Sequence, residues 1–315
     1  MLIDRDQPIQ LLPIFRERVW GRKNLAPYFP HTNLNEPVGE AWYTSGENLT
    51  SLEISLGEIL KNEPAVLGTA EDQHHPGVCP LLVKMLFTTE RLSVQVHPGD
   101  DYAEKHHQSL GKTEAWYVVD AEPNAEVAVG FREHLSPQKL RESAQRGEIE
   151  ALLDWRRVKQ GDVVFTPAGT VHAIGAGLTI CEIQENSDIT YRLYDYGRPR
   201  ELHLEHGTKV AHLGPHQHAS EVIKLDSWRE QLLESSYFRI ERLRPGKRLK
   251  IDAGVPFYLL LICLKGTGSI AGRPFEPGQC WMVPASSGAV DFDAAGSEWL
   301  LTYSAGEPTH ALRGE

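Results

Sequence analysis

The fold turns on the stretch Gly161-Asp162-Val163-Val164-Phe165-Thr166-Pro167-Ala168-Gly169-Thr170-Val171-His172. Its frame is a glycine, five residues and a proline. The frame recurs as Gly278-Gln279-Cys280-Trp281-Met282-Val283-Pro284. Each copy sets apolar, β-favouring residues between two turn formers, the composition of a short strand closed at both ends. The first copy runs on to His172. The second continues Ala285-Ser286-Ser287-Gly288 and has no histidine. Two related β units are therefore expected, the first chemically equipped and the second not.

Working outward, the same grammar repeats along the chain. Leu81 to Phe87 is a near-continuous apolar run, and Leu92 to His97 alternates with period two. That alternation puts Ser93, Gln95 and His97 on one face and Leu92, Val94 and Val96 on the other. Further strands are expected over 113–119 and 126–131 around Pro123-Asn124, then over 162–165, 178–183 and 190–194. Ser136-Pro137 reads as a cap and first helical residue, opening a helical segment to about Arg156 that breaks at Arg146-Gly147. Residues 1–60 read as irregular structure with short strands. Residues 199–235 read as a polar, histidine-rich connection with some helix, and 236–305 as strands again. Many short strands at such spacing predict a mainly β protein of the sandwich or barrel kind. The expected division is a metal-binding unit over 1–235, with a small helical insertion near 136–156, and a second unit over 236–315.

Composition narrows the function classes. The chain has 315 residues, enough for two ordinary cores, and its formal charge of −11 argues against a nucleic-acid partner. A small phosphorylated ligand needs only a few local cations and stays open. Met1-Leu2-Ile3-Asp4-Arg5-Asp6 carries acids where an export signal needs bases before an apolar run. The apolar stretch Val255 to Leu264 is too short to span a bilayer. Cys79, Cys181, Cys263 and Cys280 form no CxxC pair and are expected to be reduced, in or near the core. A cytoplasmic location, without a membrane partner, is the expectation.

Four side chains make a metal set: Gln95, His97, Glu114 and His172. Gln95 and His97 share a strand face. A barrel interior can bring Glu114 and His172 from two other strands to the same point. Two imidazoles, a carboxylate and an amide oxygen suit one zinc ion per chain, with manganese, iron or cobalt as substitutes. An open coordination position then serves a Lewis-acid reaction. Of the other histidines, His74-His75, His106-His107, His203, His206, His212, His216 and His218 read as surface or loop side chains.

The segment Gly161-x5-Pro167-x-Gly169-x2-His172 matches the second cupin motif. Beyond it, the chain resembles the type I phosphomannose isomerases in their short bacterial form. The resemblance is carried by Val19-Trp20-Gly21, Gly39-Glu40-Ala41-Trp42, Pro80 to Lys84, Leu92 to Pro98, Gly111-Lys112-Thr113-Glu114-Ala115-Trp116-Tyr117, Gly169 to Gly177, and Glu182 to Tyr196. It spans residues 19 to about 200. Gly99 and Ala115 depart from the usual pattern without touching an expected ligand. The resemblance implies two cupin-like jelly-roll barrels, and zinc on Gln95, His97, Glu114 and His172. It also implies a pocket lined by Lys112, Glu182, Asp188 and Arg192, and conversion of mannose 6-phosphate to fructose 6-phosphate through an enediolate. Lys112, Glu182 and Asp188 are the candidates for the base. Arg192 is a candidate oxyanion partner, or else an ion pair with Asp188. Ser93 and Lys84 are candidates for phosphate contact. A monomer or a homodimer is equally compatible. Other cupin enzymes carry a His-x-His first motif, where this chain has Gln95-x-His97. A non-catalytic sugar-phosphate sensor would not need the intact metal set.

Overall fold

The computed structural model describes residues 7–32, 34–70, 75–216, 221–304 and 308–314. Met1 to Asp6, His74 and His218 lie outside them. Strand Glu114–Ala121 shows how the layers stack. Trp116 and Val118 enter one apolar core with Val127, Val129, Ile174 and Ile180. Ala115, Tyr117 and Val119, on its other face, enter a second core with Met85, Ile183, Leu260 and Ile262. A strand buried on both faces carries unbroken apolar sequence. The same reason underlies the runs Leu81–Phe87 and Leu259–Lys265.

Four antiparallel sheets lie in consecutive layers. The first contains, in spatial order, Tyr191–Tyr194, Val94–Val96, His172–Ile174, Glu126–Phe131 and Leu153–Arg157. Its inner face packs on a sheet of Ile14–Arg22, Val38–Trp42, Leu81–Phe87, Leu178–Glu185, Glu114–Ala121 and Val163–Thr166. The back of that sheet packs on a third: Ile9–Leu11, Cys280–Val283, Leu259–Lys265, Glu298–Ser304, Phe238–Leu243, Arg229–Glu234 and Ile223–Lys224. The third covers a fourth: Arg273–Phe275, Gly268–Ile270, Val290–Asp293, Leu249–Ile251 and Leu312–Gly314.

The order of strands is the same in both pairs of sheets, apart from Ile9–Leu11, which adds beside Cys280–Val283. Val163–Thr166 is matched by Cys280–Val283, and His172–Ile174 by Val290–Asp293. Gly161 and Gly278, at the heads of the repeated motif, both have positive φ, 91° and 87°, which glycine adopts without steric cost. The interiors differ. Where His172 faces Gln95 across the first sheet, Val290 faces Ile251 in its counterpart. The core around Val290 is filled by Phe275, Trp281, Phe292 and Trp299, with Trp299 edge-on to both phenylalanines at 4.6 and 5.0 Å.

Ser136 caps helix Pro137–Arg146 by accepting from the Lys139 amide, and the helix ends on Gly147 at φ 74°. The helical segment is shorter than expected. After Ile149–Leu152 the chain turns into strand Leu153–Arg157, paired antiparallel with Glu126–Phe131. Pairing at the sheet edge, with Leu153 fully buried, overrides the local helical pattern. The 199–235 connection contains helix Leu204–Val210. It also supplies strands Ile223–Lys224 and Arg229–Glu234, which its polar composition concealed. There Arg229 is buried because Glu241 takes its guanidinium on both carboxylate oxygens. All four cysteines are buried free thiols.

A half-buried carboxyl ties the third sheet to the segment between His97 and Glu114. Tyr237, which precedes Phe238–Leu243, donates its hydroxyl to Asp100 Oδ2 at 2.8 Å, and Asp100 Oδ1 accepts from the Gly111 amide at 2.9 Å. Beside them Glu185 accepts from the Thr113 amide at 2.6 Å. Burial pushes the Glu185 carboxyl up to about 8, with Asp100 adding to the rise and the Thr113 amide opposing it. The folded state therefore holds a proton that the unfolded chain releases near pH ~4.3. Stability from this group is complete at low pH and is lost as pH rises, up to about pH 8. Glu185→Gln keeps the acceptor for Thr113 and supplies an N–H toward Asp100. Urea unfolding across that window is expected to show a falling stability in the native chain and a flatter profile in the variant.

Candidate metal centre and active site

The motif turn builds one wall of the centre. Gly169, at φ 86°, donates its amide to the His97 carbonyl at 2.8 Å. The turn and the strand bearing the first histidine are thus fastened together. His172 opens its own strand directly opposite Gln95, and Glu114 opens the strand that runs beneath. Ligand atoms of His97, Glu114 and His172 all lie within 4.8 Å of one another. Glu114 Oε2 is 3.4 Å from His97 Nε2, and Oε1 is 3.3 Å from His172 Nε2. All three side chains are at most 1% exposed.

Hydrogen bonding fixes which nitrogen faces inward. His97 Nδ1 donates to the Ile189 carbonyl at 2.8 Å and His172 Nδ1 to the Thr170 carbonyl at 2.9 Å. Both Nε2 lone pairs therefore point at the shared space, the arrangement in which backbone carbonyls orient metal-ligating imidazoles. Burial holds His97 well below the ordinary histidine range, with the Lys112 charge adding to the effect. Burial lowers His172 to about 4, with its Thr170 bond opposing. Both rings are neutral at pH 7, the ligating form. The contacts to Glu114 are consequently not ion pairs. His97 Nε2 and both Glu114 oxygens have no hydrogen-bond partner. Buried polar atoms without partners are costly. Three of them converging on one point fit a metal ion.

Gln95 Nε2 lies 3.3 Å from His172 Nε2, and its Oε1 accepts from Ser93 Oγ at 3.3 Å. Lys112 Nζ is 3.4 Å from Glu114 Oε2 and is 4% exposed. Burial pushes the Glu114 carboxyl up to about 7, against the pull of the Lys112 charge. Above the centre opens a cavity of about 450 Å³. Lys84, Ser93, Gln95, Lys112, Glu182, Asp188 and Arg192 all line it, so the residues singled out from sequence converge on one place. Lys84 is engaged, its ammonium 2.6 Å from Gln184 Oε1, 3.1 Å from Glu182 Oε2 and 4.7 Å above the Trp42 ring. Glu182 also accepts from Trp116 Nε1 at 3.1 Å. Burial works to raise Glu182, but the Lys84 and Lys112 charges hold it below the ordinary carboxylate range.

Arg192 and Asp188 both line the cavity but make no ion pair with each other. Arg192 donates Nη1 to the Glu201 carbonyl at 2.9 Å, and its buried Nε has no partner. Burial and the nearby Arg200 charge lower its affinity for the proton. Arg200, also in the cavity wall, is held by two 2.6 Å bonds to Asp195.

Sequence reasoning missed Arg18, Glu40 and Arg200 as lining residues. The Glu40 position was readable, because alternation puts Glu40 and Trp42 on one face of their strand. Glu40 Oε2 accepts from Arg18 Nη2 at 2.8 Å and from Trp42 Nε1 at 2.9 Å. Arg18 was not readable. It sits where Ile14–Arg22 bulges out opposite Val38. A Cβ on Gly39 would lie 2.6 Å from both Arg18 Cβ and the Trp20 ring, so only glycine lets the bulge close over the pocket.

With this geometry in hand, similarity to known proteins is specific. A family model for the phosphomannose isomerase type I catalytic domain matches residues 9–137. Mannose-6-phosphate isomerase ManA of Bacillus subtilis (strain 168) is 34% identical over 304 residues, covering 90% of this chain and 94% of that protein. The mannose-6-phosphate isomerase of Streptococcus mutans is 34% identical over 280 residues, covering 84% and 87%. A crystal structure of the mannose 6-phosphate isomerase from Bacillus subtilis superposes with a TM-score of 0.84 at 28% identity, over 94% of this chain and 99% of that one. The identity runs through almost the whole length of these relatives, and the fold follows it. The chain belongs to the type I phosphomannose isomerase family.

Proposed function

We propose that the chain interconverts mannose 6-phosphate and fructose 6-phosphate at this centre, with one zinc ion per chain as its cofactor. The observation that carries the reading is the convergence of buried ligand atoms from His97, Glu114 and His172, three of them without a hydrogen-bond partner, beside a cavity whose wall includes Gln95 and Lys112. Two neutral imidazoles and a carboxylate make a set that suits zinc and leaves a position for substrate. Gln95 joins it if its amide turns so that Oε1 replaces Nε2 beside His172; the two amide ends are interchangeable in space.

Isomerisation removes the C2 proton of the aldose, passes through an enediolate, and returns a proton to C1. The ion would polarise the carbonyl and offset the charge that develops on the oxygens. We assign the proton's path to Lys112, whose nitrogen lies against a ligand oxygen and so within reach of a substrate carbon held there. Glu182 has both oxygens engaged, by Trp116 and Lys84, and serves to fix Lys84 in place. Arg192 lines the cavity, and its guanidinium is assigned as a hydrogen-bond donor for the enediolate. Asp188 is exposed at the rim and close enough to act on Lys84 electrostatically. Lys84 and Ser93 stand at the cavity wall as phosphate contacts, with Arg18 and Arg200 as further cations. The sheet pairs make two cupin-like barrels. Residues 1–235 carry the chemistry, and 236–315 form a packed scaffold that borrows Ile9–Leu11 and Ile223–Glu234 as strands. No described helix is long and apolar enough to cross a membrane.

Two sets of variants test the assignment. His172→Ala and Glu114→Ala are expected to lose zinc in elemental analysis and to lower activity by about a thousandfold or more, while unfolding stays cooperative because the surrounding core is apolar and closed. Full zinc occupancy in both would defeat the ligand assignment. In a coupled assay for fructose 6-phosphate, Arg192→Ala is expected to lower kcat more than it raises KM. Arg192→Lys is expected not to restore it, since an ammonium lacks the planar fork. A zinc-loaded native enzyme inactive on mannose 6-phosphate would overturn the functional reading.

A further inference from the structure

A second gathering of imidazoles lies on the outer face of the first sheet, away from the cavity. His106 and His107 end helix Asp100–His107, and His206 stands across from them on helix Leu204–Val210. His106 stacks on Tyr102 at 4.2 Å, and His206 stacks on Tyr191 at 5.1 Å. Each of two rings is anchored by a phenol through one nitrogen. His206 Nδ1 is 2.9 Å from the Tyr102 hydroxyl, and His107 Nε2 is 2.6 Å from that of Tyr191. When those nitrogens carry the proton, the opposite nitrogen of each ring presents a lone pair. At the catalytic centre His97 and His172 are likewise held through one nitrogen, there Nδ1 on a backbone carbonyl.

The spacing is wider than that of a bound pair but within reach of side-chain rotation. Two imidazoles on one tetrahedral ion with nitrogen at ~2.0–2.1 Å put their ring centroids about 5 Å apart. The catalytic pair is at 4.8 Å. The His106–His206 and His107–His206 centroids are 5.7 and 6.0 Å apart. His106 is exposed, so rotation of its side chain closes the difference, and His107 joins on release of its bond to Tyr191. The charges around the cluster are balanced. Lys209 pairs with Glu205 at 2.9 Å, and Glu104 stands on the same helix as Lys105. Desolvation, then Lys105 and the adjoining rings, hold His106 below the ordinary histidine range, which favours its neutral form.

We propose that His106 and His206, with His107 as a third nitrogen, form a peripheral binding site for a borderline divalent transition-metal ion such as zinc or nickel. Imidazole sets of this kind select such ions over magnesium and calcium. Bound there, the ion joins the helix that follows His97 to the helix that follows Arg192. The site is independent of the reaction assigned to the cavity.

Calorimetric titration of the untagged, zinc-loaded enzyme with Zn²⁺ and with Ni²⁺ tests it, with elemental analysis after gel filtration as the second readout. A second equivalent per chain is expected, weaker than the first. His106→Gln and His206→Gln are each expected to weaken that second equivalent about tenfold or more, and to leave the first equivalent and the isomerase rate unchanged. Absence of a second equivalent at millimolar metal would overturn the proposal. So would a second equivalent that persists at native strength in the double variant.

Discussion

The Glu114 carboxylate is the constraint around which the rest is arranged. It is 1% exposed and neither oxygen has a hydrogen bond of ordinary length. A carboxylate taken out of water without compensation is among the more expensive things a fold can hold. Lys112 at 3.4 Å offsets part of that cost. The remainder falls to whatever occupies the space shared with His97 and His172. The neighbouring rings cannot help as cations, because burial keeps both neutral. A metal ion answers the carboxylate and both lone pairs at once, so the centre's instability without one is the same fact as its affinity for one.

Duplication explains how such a site is tolerated. The strand order is repeated, but the second copy is filled by Trp281, Trp299, Phe275 and Phe292. An aromatic interior buries far more apolar surface than a ligand cluster can. The six-stranded sheet shares its back with the seven-stranded one, through Tyr117, Met85 and Ile183 on one side and Leu260, Ile262 and Met282 on the other. The polar interior of the first unit therefore rests on a hydrophobic interface as wide as the sheet. Tyr237 reaching Asp100 carries that support to the segment between His97 and Glu114.

Much of this was legible in the sequence. The repeated glycine–proline frame showed two units, and alternation over Leu92 to His97 put Gln95 and His97 on one face. The cap at Ser136 and the break at Gly147 follow local rules that tertiary structure did not override. Leu153–Arg157 escaped because its partner, Glu126–Phe131, lies more than twenty residues away, and a five-residue edge strand has little local signature. Arg229–Glu234 escaped because the residue that makes Arg229 tolerable in a core, Glu241, belongs to the next strand. Arg18 escaped because a bulge has no periodicity to read. What sequence patterns encode well is the preference of single segments. What they encode poorly is compensation between distant ones.

Charge makes the same point about function. A net charge of −11 describes the far field of the molecule, and it repels a phosphorylated sugar. The cavity wall is different. Arg18, Lys84, Lys112, Arg192 and Arg200 face it against Glu17, Glu40, Glu182 and Asp188. Several of these cations are already bound to an acid: Arg18 to Glu40, Lys84 to Glu182, Arg200 to Asp195. Each such pair fixes a guanidinium or ammonium in one orientation and leaves little net field. Arg192 differs, since its guanidinium donates to the Glu201 backbone carbonyl and its Nε is buried without a partner. Exposed charges are screened over about 8–10 Å at physiological salt, whereas groups within a partly desolvated pocket are screened much less. The overall charge therefore acts at a distance, and the local arrangement of cations and acids sets the field inside the cavity. An acidic protein can in this way keep a pocket whose electrostatics differ from those of its surface.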